Sequence, residues 1–168
     1  MKDDKQKALT AALDDLEKMR ENEGRMLKDE LAGRLNEIER RLPAIETESA
    51  TIGAEYQQRL TKRISEMLAK SDTQIEIDQA RLAQEIAYIA ERADISEEIA
   101  RLTTHIEHFR TIMDEDKEVG KRLDFLTQEL NREANTITSK TNNMIVKENA
   151  LQIKSEIEKI REQVQNVE

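Results

Sequence analysis

Apolar residues recur every three or four positions along most of this chain, which is the period of an α-helix and not of a strand. The spacing continues through residues 9–67 with few interruptions. Four positions within it repeat every seven residues, as in a coiled-coil seam: Leu31, Ile38, Ile45 and Ile52. Pro43 lies inside the pattern. Since proline cannot continue the helical hydrogen-bond ladder, we expect the helix to kink or restart near Leu42.

The regular spacing of apolar residues is interrupted at three places, where we expect one helix to end and the next to begin. The polar and β-branched stretch 70–79 indicates the turn of a long helical hairpin. Asp94, followed three residues later by Glu97, predicts a capping box that begins a third helix. The acidic stretch 114–120 ends in glycine and is predicted to be a loop.

Two more helices are predicted after this loop. The first covers residues 119–140 and runs into the polar stretch 138–143. The second carries a regular heptad: Val146, Ala150, Ile153, Ile157, Ile160, Val164 and Val167. Such a seam needs a partner helix, which either the N-terminal hairpin or another subunit could supply. The sequence therefore predicts an all-α fold, with a long antiparallel helical hairpin or coiled coil at 1–92 and a C-terminal helical region at 93–168.

Composition agrees with long helices that bury a narrow stripe. Apolar residues make up 37% of the chain, aromatic residues 2% and charged residues 38%, which is too little apolar material for a thick core. The chain has no cysteine, so a thiolate metal site is excluded. Neither a signal peptide nor an apolar run long enough for a membrane span is visible, and we expect a cytoplasmic protein that does not enter membranes.

The charge distribution singles out the C-terminal third. The net charge of −9 argues against a general affinity for nucleic acid, but residues 119–168 carry eight basic and eight acidic side chains. The scarcity of aromatic residues argues against base stacking as the main mode of binding a strand. If RNA binds, we expect contacts mainly to its backbone and shape.

Two polar stripes flank the apolar face of the predicted helix 119–140 on a helical wheel. One stripe consists of Arg122, Glu129, Glu133, Thr136 and Lys140. The other consists of Asp124, Gln128, Asn131 and Asn135. Asparagine and threonine are poor choices inside a helix, and eight Asn, Thr and Ser residues fall within 131–143. Local rules are often broken where function requires it, so this segment is the predicted functional region.

Two candidate chemistries follow from these residues. Glu129 and Glu133 lie one helical turn apart and could share a divalent cation through oxygen ligands, but they are equally consistent with two solvated carboxylates or a polar helix interface. His105 follows Arg101 by one turn and suits a general acid or base, or else an interfacial histidine paired with a carboxylate. His105 and His108 are three residues apart, which is a weak signal for a metal pair.

Four segments resemble the bacterial YicC-like family. Its C-terminal signature is matched by VGKRLDFLTQELNREANTITSKTNN (119–143) and KSEIEKIREQVQNVE (154–168). ADISEEIARLTTHIEHF (93–109) resembles the preceding segment, with His105 at the family's histidine position. ENEGRMLKDELAGRLNEIE (21–39) is similar to the family's connecting helix. Family members usually carry a separate N-terminal α/β domain, and we expect this sequence to be the C-terminal helical portion without it.

The resemblance implies a cytoplasmic bacterial endoribonuclease that is metal-dependent, acts on structured RNA and is hexameric at full length. No DNA partner is expected. The expected cofactor is a divalent cation, Mn²⁺ or Mg²⁺. Taken with the stripes, the resemblance assigns catalysis to His105, Glu129, Glu133 and Arg132. It assigns RNA or phosphate binding to Arg122, Asn131, Asn135, Ser139 and Lys140. It assigns metal binding to Glu129, Glu133 and Asp124.

A function of another class stays open at this point. The chain could be a non-catalytic coiled-coil scaffold for oligomerisation, in which the Asn-rich stripe fixes the register. The position of His105 relative to Glu129 and Glu133 separates the two hypotheses. Convergence within about 10 Å favours chemistry, whereas dispersal on opposite faces favours a scaffold.

Overall fold

A computed structural model describes residues 2–69, 78–115 and 118–167, which form six α-helices and no strand. In chain order they are α1 (Lys2–Glu39), α2 (Leu42–Ala69), α3 (Gln79–Ala93), α4 (Ser96–Met113), α5 (Gly120–Lys140) and α6 (Met144–Val164). The predicted all-α fold is confirmed. The predicted hairpin turn at 70–79 falls almost wholly outside the described residues. None of the described helices combines the length and the apolar character needed to cross a membrane.

The break predicted at Pro43 is confirmed. Helix α1 ends at Glu39 and α2 begins at Leu42, so the proline lies in the first turn of the second helix. A missing N–H is harmless there, because the first amides of a helix have no intrahelical acceptor. The predicted acidic loop also lies between two helices, α4 and α5, with residues 116–117 outside the described part.

The capping box predicted between Asp94 and Glu97 does not form, and the N-cap of α4 is Ile95. The Asp94 carboxylate accepts hydrogen bonds from the backbone N–H and the hydroxyl of Ser96, at 2.9 and 2.6 Å. These bonds hold the pKa of Asp94 below its usual range. Glu97 does not reach back, because the Asp94 N–H already donates to the Glu91 carbonyl and the Glu97 carboxylate pairs with Arg101.

Several polar residues of the 131–143 cluster have local structural roles. The Asn143 side chain caps α6 by accepting from the Val146 N–H at 3.1 Å. Thr136 and Thr138 donate to carbonyls four residues earlier, at 3.0 and 2.8 Å. Helix α5 continues to Lys140, so the predicted polar run 138–143 is half helical. The unusual composition of the segment is therefore partly explained by capping and by back-bonding.

The heptad of α6 is buried within the same chain. Its buried members are Val146, Ala150, Ile153, Ile157, Ile160 and Val164. Helix α6 packs against α5, α1 and α2, which provides the partner that the seam requires. An ion pair of 3.1 Å from Arg34 on α1 to Glu156 on α6 accompanies this packing. Burial raises the pKa of Glu156, but hydrogen bonds from Lys159 and Arg34 outweigh it, and the net pKa is lowered.

The outer part of α2 pairs with α3. Apolar side chains in this pair are only half buried: Ile52, Leu60, Ile64, Leu82, Ile86 and Ile89. By contrast, Leu42 and Ile45 at the start of α2 belong to the main core with α1, α4, α5 and α6. The division of the chain at residue 92 stays a prediction.

The first half of α1 displays an apolar stripe to solvent. Leu9, Leu13, Leu16 and Met19 are each more than half exposed, whereas Leu31, further along the same helix, is 2% exposed. A row of large exposed apolar side chains on one helix commonly marks a protein interaction surface. We refer to Leu9, Leu13, Leu16 and Met19 as the α1 stripe.

Candidate metal site at the α4–α5 seam

Three side chains with metal-ligating atoms meet where α4 packs on α5. His105 comes from α4, and Glu129 and Glu133 come from α5. One ligand atom from each lies within 4.8 Å of the other two. The carboxylates share a face of α5 because they are four residues apart, and the helix pairing brings the imidazole to them. This separation is well inside about 10 Å, so it favours a chemical site over a dispersed polar interface.

The geometry of this group fits a single divalent cation. If three atoms are no more than 4.8 Å apart, an ion placed between them can lie within about 2.8 Å of all three. Small side-chain rotations would shorten these distances to the ~2.0–2.2 Å of a metal bond. Carboxylate oxygens suit Mg²⁺ and Mn²⁺. The two carboxylates of this group are therefore compatible with the divalent cation that the resemblance implies.

Two arginines lie near the carboxylates of this group without close contact. Glu133 is 3% exposed, and Glu129 and His105 are half buried. Two carboxylates at this separation repel each other, and burial makes the repulsion more costly. Arg101 lies 3.7 Å from Glu133, and Arg132 lies 3.7 Å from Glu129, so neither forms a close hydrogen-bonded pair with the cluster. A bound cation would complete the neutralisation that these two arginines begin.

Arg101 was missing from the predicted site residues. Its guanidinium bridges Glu97 on its own helix and the buried Glu133 on α5. The available sequence signal was its position one turn before His105, which places both side chains on one face of α4. Sequence alone could not show that this face meets Glu133.

The other predicted metal and amide ligands lie apart from the cluster. The Asp124 carboxylate accepts from the Gln128 side chain at 2.9 Å and does not belong to the three-residue group. Asn131 is half buried and Asn135 is exposed, and within the described part of the chain neither side chain makes a hydrogen bond. His108 is exposed and also lies outside the group.

The charged and hydroxyl residues predicted to bind phosphate occupy two different settings. Arg122 is exposed and makes a two-pronged contact with Glu115 across the α4–α5 connection. The Ser139 hydroxyl donates to the Thr136 carbonyl at 2.9 Å and borders a cleft at the end of α5. Lys140 borders the same cleft. The structure thus gathers two of the predicted phosphate ligands at one end of α5 and leaves Arg122 at the other.

Lys140 neutralises a buried carboxylate. Its ammonium donates to Glu98 Oε1 at 2.8 Å and to the Asp94 carbonyl at 3.1 Å. Glu98 is 4% exposed, and its Oε2 has no hydrogen-bond partner in the described structure. This pair lies two helical turns from the metal cluster along the same seam, seven residues from Glu133 on α5 and from His105 on α4.

We expect Lys140→Met to lower the free energy of unfolding by about 1–3 kcal/mol, because Glu98 would keep its burial and lose its donor. Urea denaturation at neutral pH measures the change. Lys121→Met, at an exposed position on the same helix, is the control and should stay within about 0.5 kcal/mol of the parent. The double variant Glu98→Met with Lys140→Met should recover most of the loss. Equal stability of the parent and Lys140→Met would contradict this role.

Comparison with known proteins places the site in a family context. Residues 45–168 match the family model described as "Endoribonuclease YicC-like, C-terminal", and this range includes His105, Glu129 and Glu133. The chain is 41% identical over 161 residues to a protein of Clostridioides difficile named probable endoribonuclease YicC, covering 96% of the chain and 54% of the relative. For a protein of Haemophilus influenzae with the same name, the identity is 35% over 156 residues, covering 93% and 52%.

The chain therefore spans about half the length of the curated relatives it matches. The family model covers most of the chain, including all of α3 to α6. Three of the segments on which the resemblance was based lie wholly inside the matched range: 93–109, 119–143 and 154–168. On this match, the chain belongs to the endoribonuclease YicC-like family.

Proposed function

We propose that this chain is the helical catalytic part of a metal-dependent endoribonuclease that hydrolyses phosphodiester bonds in structured RNA. The observation that carries the proposal is the convergence of His105, Glu129 and Glu133 within 4.8 Å. It lies in a chain whose relatives are named probable endoribonucleases. The cytoplasmic location belongs to the same proposal.

Each residue near the cluster has a distinct role in this proposal. Glu129 and Glu133 hold a divalent cation, which when bound would polarise a phosphoryl oxygen. Arg132 and Arg101 offset negative charge that develops on the phosphate during the reaction. The predicted strand-binding residues, among them Arg122 and Lys140, contact RNA on either side of the scissile bond. The same role, contact with RNA, is proposed for Asn131, Asn135 and Ser139.

His105 is proposed as the group that moves a proton. Imidazole accepts and donates protons near neutral pH, and His105 is close enough to the carboxylates to act on a phosphate held there. The alternative role of third metal ligand is separable by experiment. His105→Ala should reduce cleavage and leave metal binding intact if the residue transfers a proton, and should weaken both if it is a ligand.

The test of the proposed function is cleavage of a labelled RNA hairpin by this chain with Mn²⁺. Activity should require the metal and should fall by about 10²–10³-fold when Glu129 and Glu133 are both changed to glutamine. Cleavage at the parent's rate in that variant would reject the carboxylate roles. No cleavage by the unaltered chain with Mn²⁺ or Mg²⁺ would reject the proposal for this portion of the protein.

A second proposal concerns assembly and rests on the α1 stripe. We propose that the stripe binds a second copy of the chain, as part of the homo-oligomer, hexameric at full length, that the family resemblance implies. Its side chains are 51–62% exposed, whereas the α6 heptad is already used within the chain. A pairing of two such stripes would remove apolar surface from water on both copies.

Light scattering measures this assembly. Leu13→Asp with Leu16→Asp should reduce the molar mass to that of one chain, without loss of helicity, because both side chains are exposed in the single chain. Glu17→Lys with Glu21→Lys, at exposed positions on the same helix that lie outside the stripe, is the control and should leave the mass unchanged. A parent chain that is monomeric at all concentrations would contradict the proposal.

A further inference from the structure

A cleft of about 590 Å³ lies between α2, α3 and the α5–α6 connection. Its volume falls within the roughly 300–1,000 Å³ of sites that bind small molecules or parts of larger ones. Helix α2 contributes Tyr56 and Arg59, and α3 contributes Arg92. The connection contributes Lys140 and Asn142. The cleft is thus bordered by an aromatic ring, by amide groups and by cations from three parts of the fold.

The charge of this cleft contrasts with that of the whole chain. Three basic residues and one acidic residue, Glu55, are among those that line it, in a chain of net charge −9; of the three, Lys140 is already paired with Glu98. Within the described residues, neither Arg59 nor Arg92 has a carboxylate within 4.0 Å, unlike Arg34, Arg101 and Arg122. The Arg92 guanidinium lies 5.7 Å from the centre of the Tyr88 ring. That contact orients the cation and leaves its N–H donors available to an anion.

The cleft and the proposed catalytic site lie along the same helix, α5. Lys140 lies seven residues beyond Glu133 on α5, which is two turns and about 10 Å along the same helix face. Stacked nucleotides of one strand advance by about 3.4 Å each. A strand held at the metal cluster would therefore reach the cleft in about three nucleotides.

We propose that this cleft binds an unpaired nucleotide of the RNA strand that is cleaved, with its base stacked on Tyr56 and the adjacent phosphates bound by Arg59 and Arg92. The inference rests on the proposed ribonuclease function. The chain has too few aromatic residues for the bases of a whole strand to stack on them. One aromatic ring is nevertheless sufficient to stack one base. Asn142, whose Oδ1 accepts from the Lys147 ammonium at 3.3 Å, is exposed and lines the same cleft, and its amide would contact the base edge. The site selects RNA that has a single-stranded position near the scissile bond.

The test is binding of a short single-stranded RNA to the full chain in a chelator, measured by fluorescence anisotropy. Tyr56→Ala should weaken binding by about 5- to 150-fold, the effect of losing one stacked base. Tyr56→Leu should weaken it similarly, since leucine restores packing without a ring, whereas Tyr56→Phe should bind like the parent. Thermal melting checks that each variant is folded.

The arginines are tested by the salt dependence of the same binding. Arg59→Gln with Arg92→Gln should reduce the slope of log affinity against log salt by about 1.4, which is about 0.7 for each lost phosphate contact. Arg63→Gln with Arg81→Gln, exposed on the same two helices and outside the cleft lining, is the matched control and should leave the slope unchanged.

Three results would overturn the inference. The first is that all Tyr56 variants bind the RNA equally well. The second is that a fully paired duplex binds as tightly as the single strand and also depends on Tyr56. The third is that a mononucleotide competes as effectively as the oligonucleotide. The chelator keeps this test independent of hydrolysis. Tyr56-dependent binding by a chain that never cleaves would reject the ribonuclease function and retain the strand site. Metal-dependent cleavage that is unchanged by the Tyr56 substitutions would support the ribonuclease function and reject the strand site.

Discussion

Changing Glu129 and Glu133 together to glutamine is expected to reduce metal-dependent cleavage of RNA by about 10²–10³-fold, the loss typical of removing a preorganised electrostatic stabiliser. Glutamine keeps the shape of the side chain, removes its charge and replaces one acceptor oxygen with an NH₂ donor. Because Glu133 is 3% exposed, a neutral substitute also avoids leaving a cavity. The variant therefore tests charge and metal binding, and not packing.

The same variant has a readout that does not depend on activity. A metal at about 100 times its Kd stabilises the folded chain by about 2.7 kcal/mol. For a chain of this size that corresponds to an increase in Tm of about 5–10 °C. The parent should show this increase with Mn²⁺, and the double variant should not. Without metal the variant should be more stable than the parent, by about 0.5–2 kcal/mol, because two mutually repelling carboxylates are gone.

Glu158→Gln with Glu162→Gln provides the matched control. These glutamates have the same four-residue spacing and lie exposed on α6. The control should cleave RNA and gain Tm with Mn²⁺ as the parent does. If the control and the Glu129/Glu133 variant behave alike in both measurements, the cluster has no role in metal binding.

Phe109→Ala is expected to lower the free energy of unfolding by about 3–5 kcal/mol, because removal of a buried aromatic ring loses its transfer free energy and leaves a cavity. Phe109 is fully buried and lies on α4 one turn after His105. For a chain of this size the loss corresponds to a decrease in Tm of about 6–20 °C. Urea denaturation and thermal melting, both followed by circular dichroism, measure it.

Phe125→Ala is the natural control, because the chain has only two phenylalanines. Phe125 is 60% exposed on α5, so its removal should change stability by less than about 0.5 kcal/mol. A large loss of stability from Phe125→Ala, or a negligible one from Phe109→Ala, would contradict the packing described here. Within this chain the Phe125 ring remains mostly in solvent.

The sequence alone was sufficient for the helices and for the spacing of the carboxylates. Helical period, the break at Pro43 and the four-residue separation of Glu129 and Glu133 are local properties, decided by residues within a turn or two of one another. The resemblance of residues 119–143 to a known family also needed only the sequence, and the family match confirmed it. Local signals were less reliable at Asp94, where α4 starts in a different register from the predicted capping box.

Only the tertiary structure decided which faces meet. An apolar stripe shows that a face is buried but not against what, because the hydrophobic effect has no direction. The α6 heptad and the α1 stripe therefore looked alike in sequence, yet the first is buried within the chain and the second is exposed. His105 reaches Glu133 only because α4 packs on α5 in one particular register, which also pairs Glu98 with Lys140. That register depends on packing between residues 28 and 42 positions apart, which no local pattern encodes.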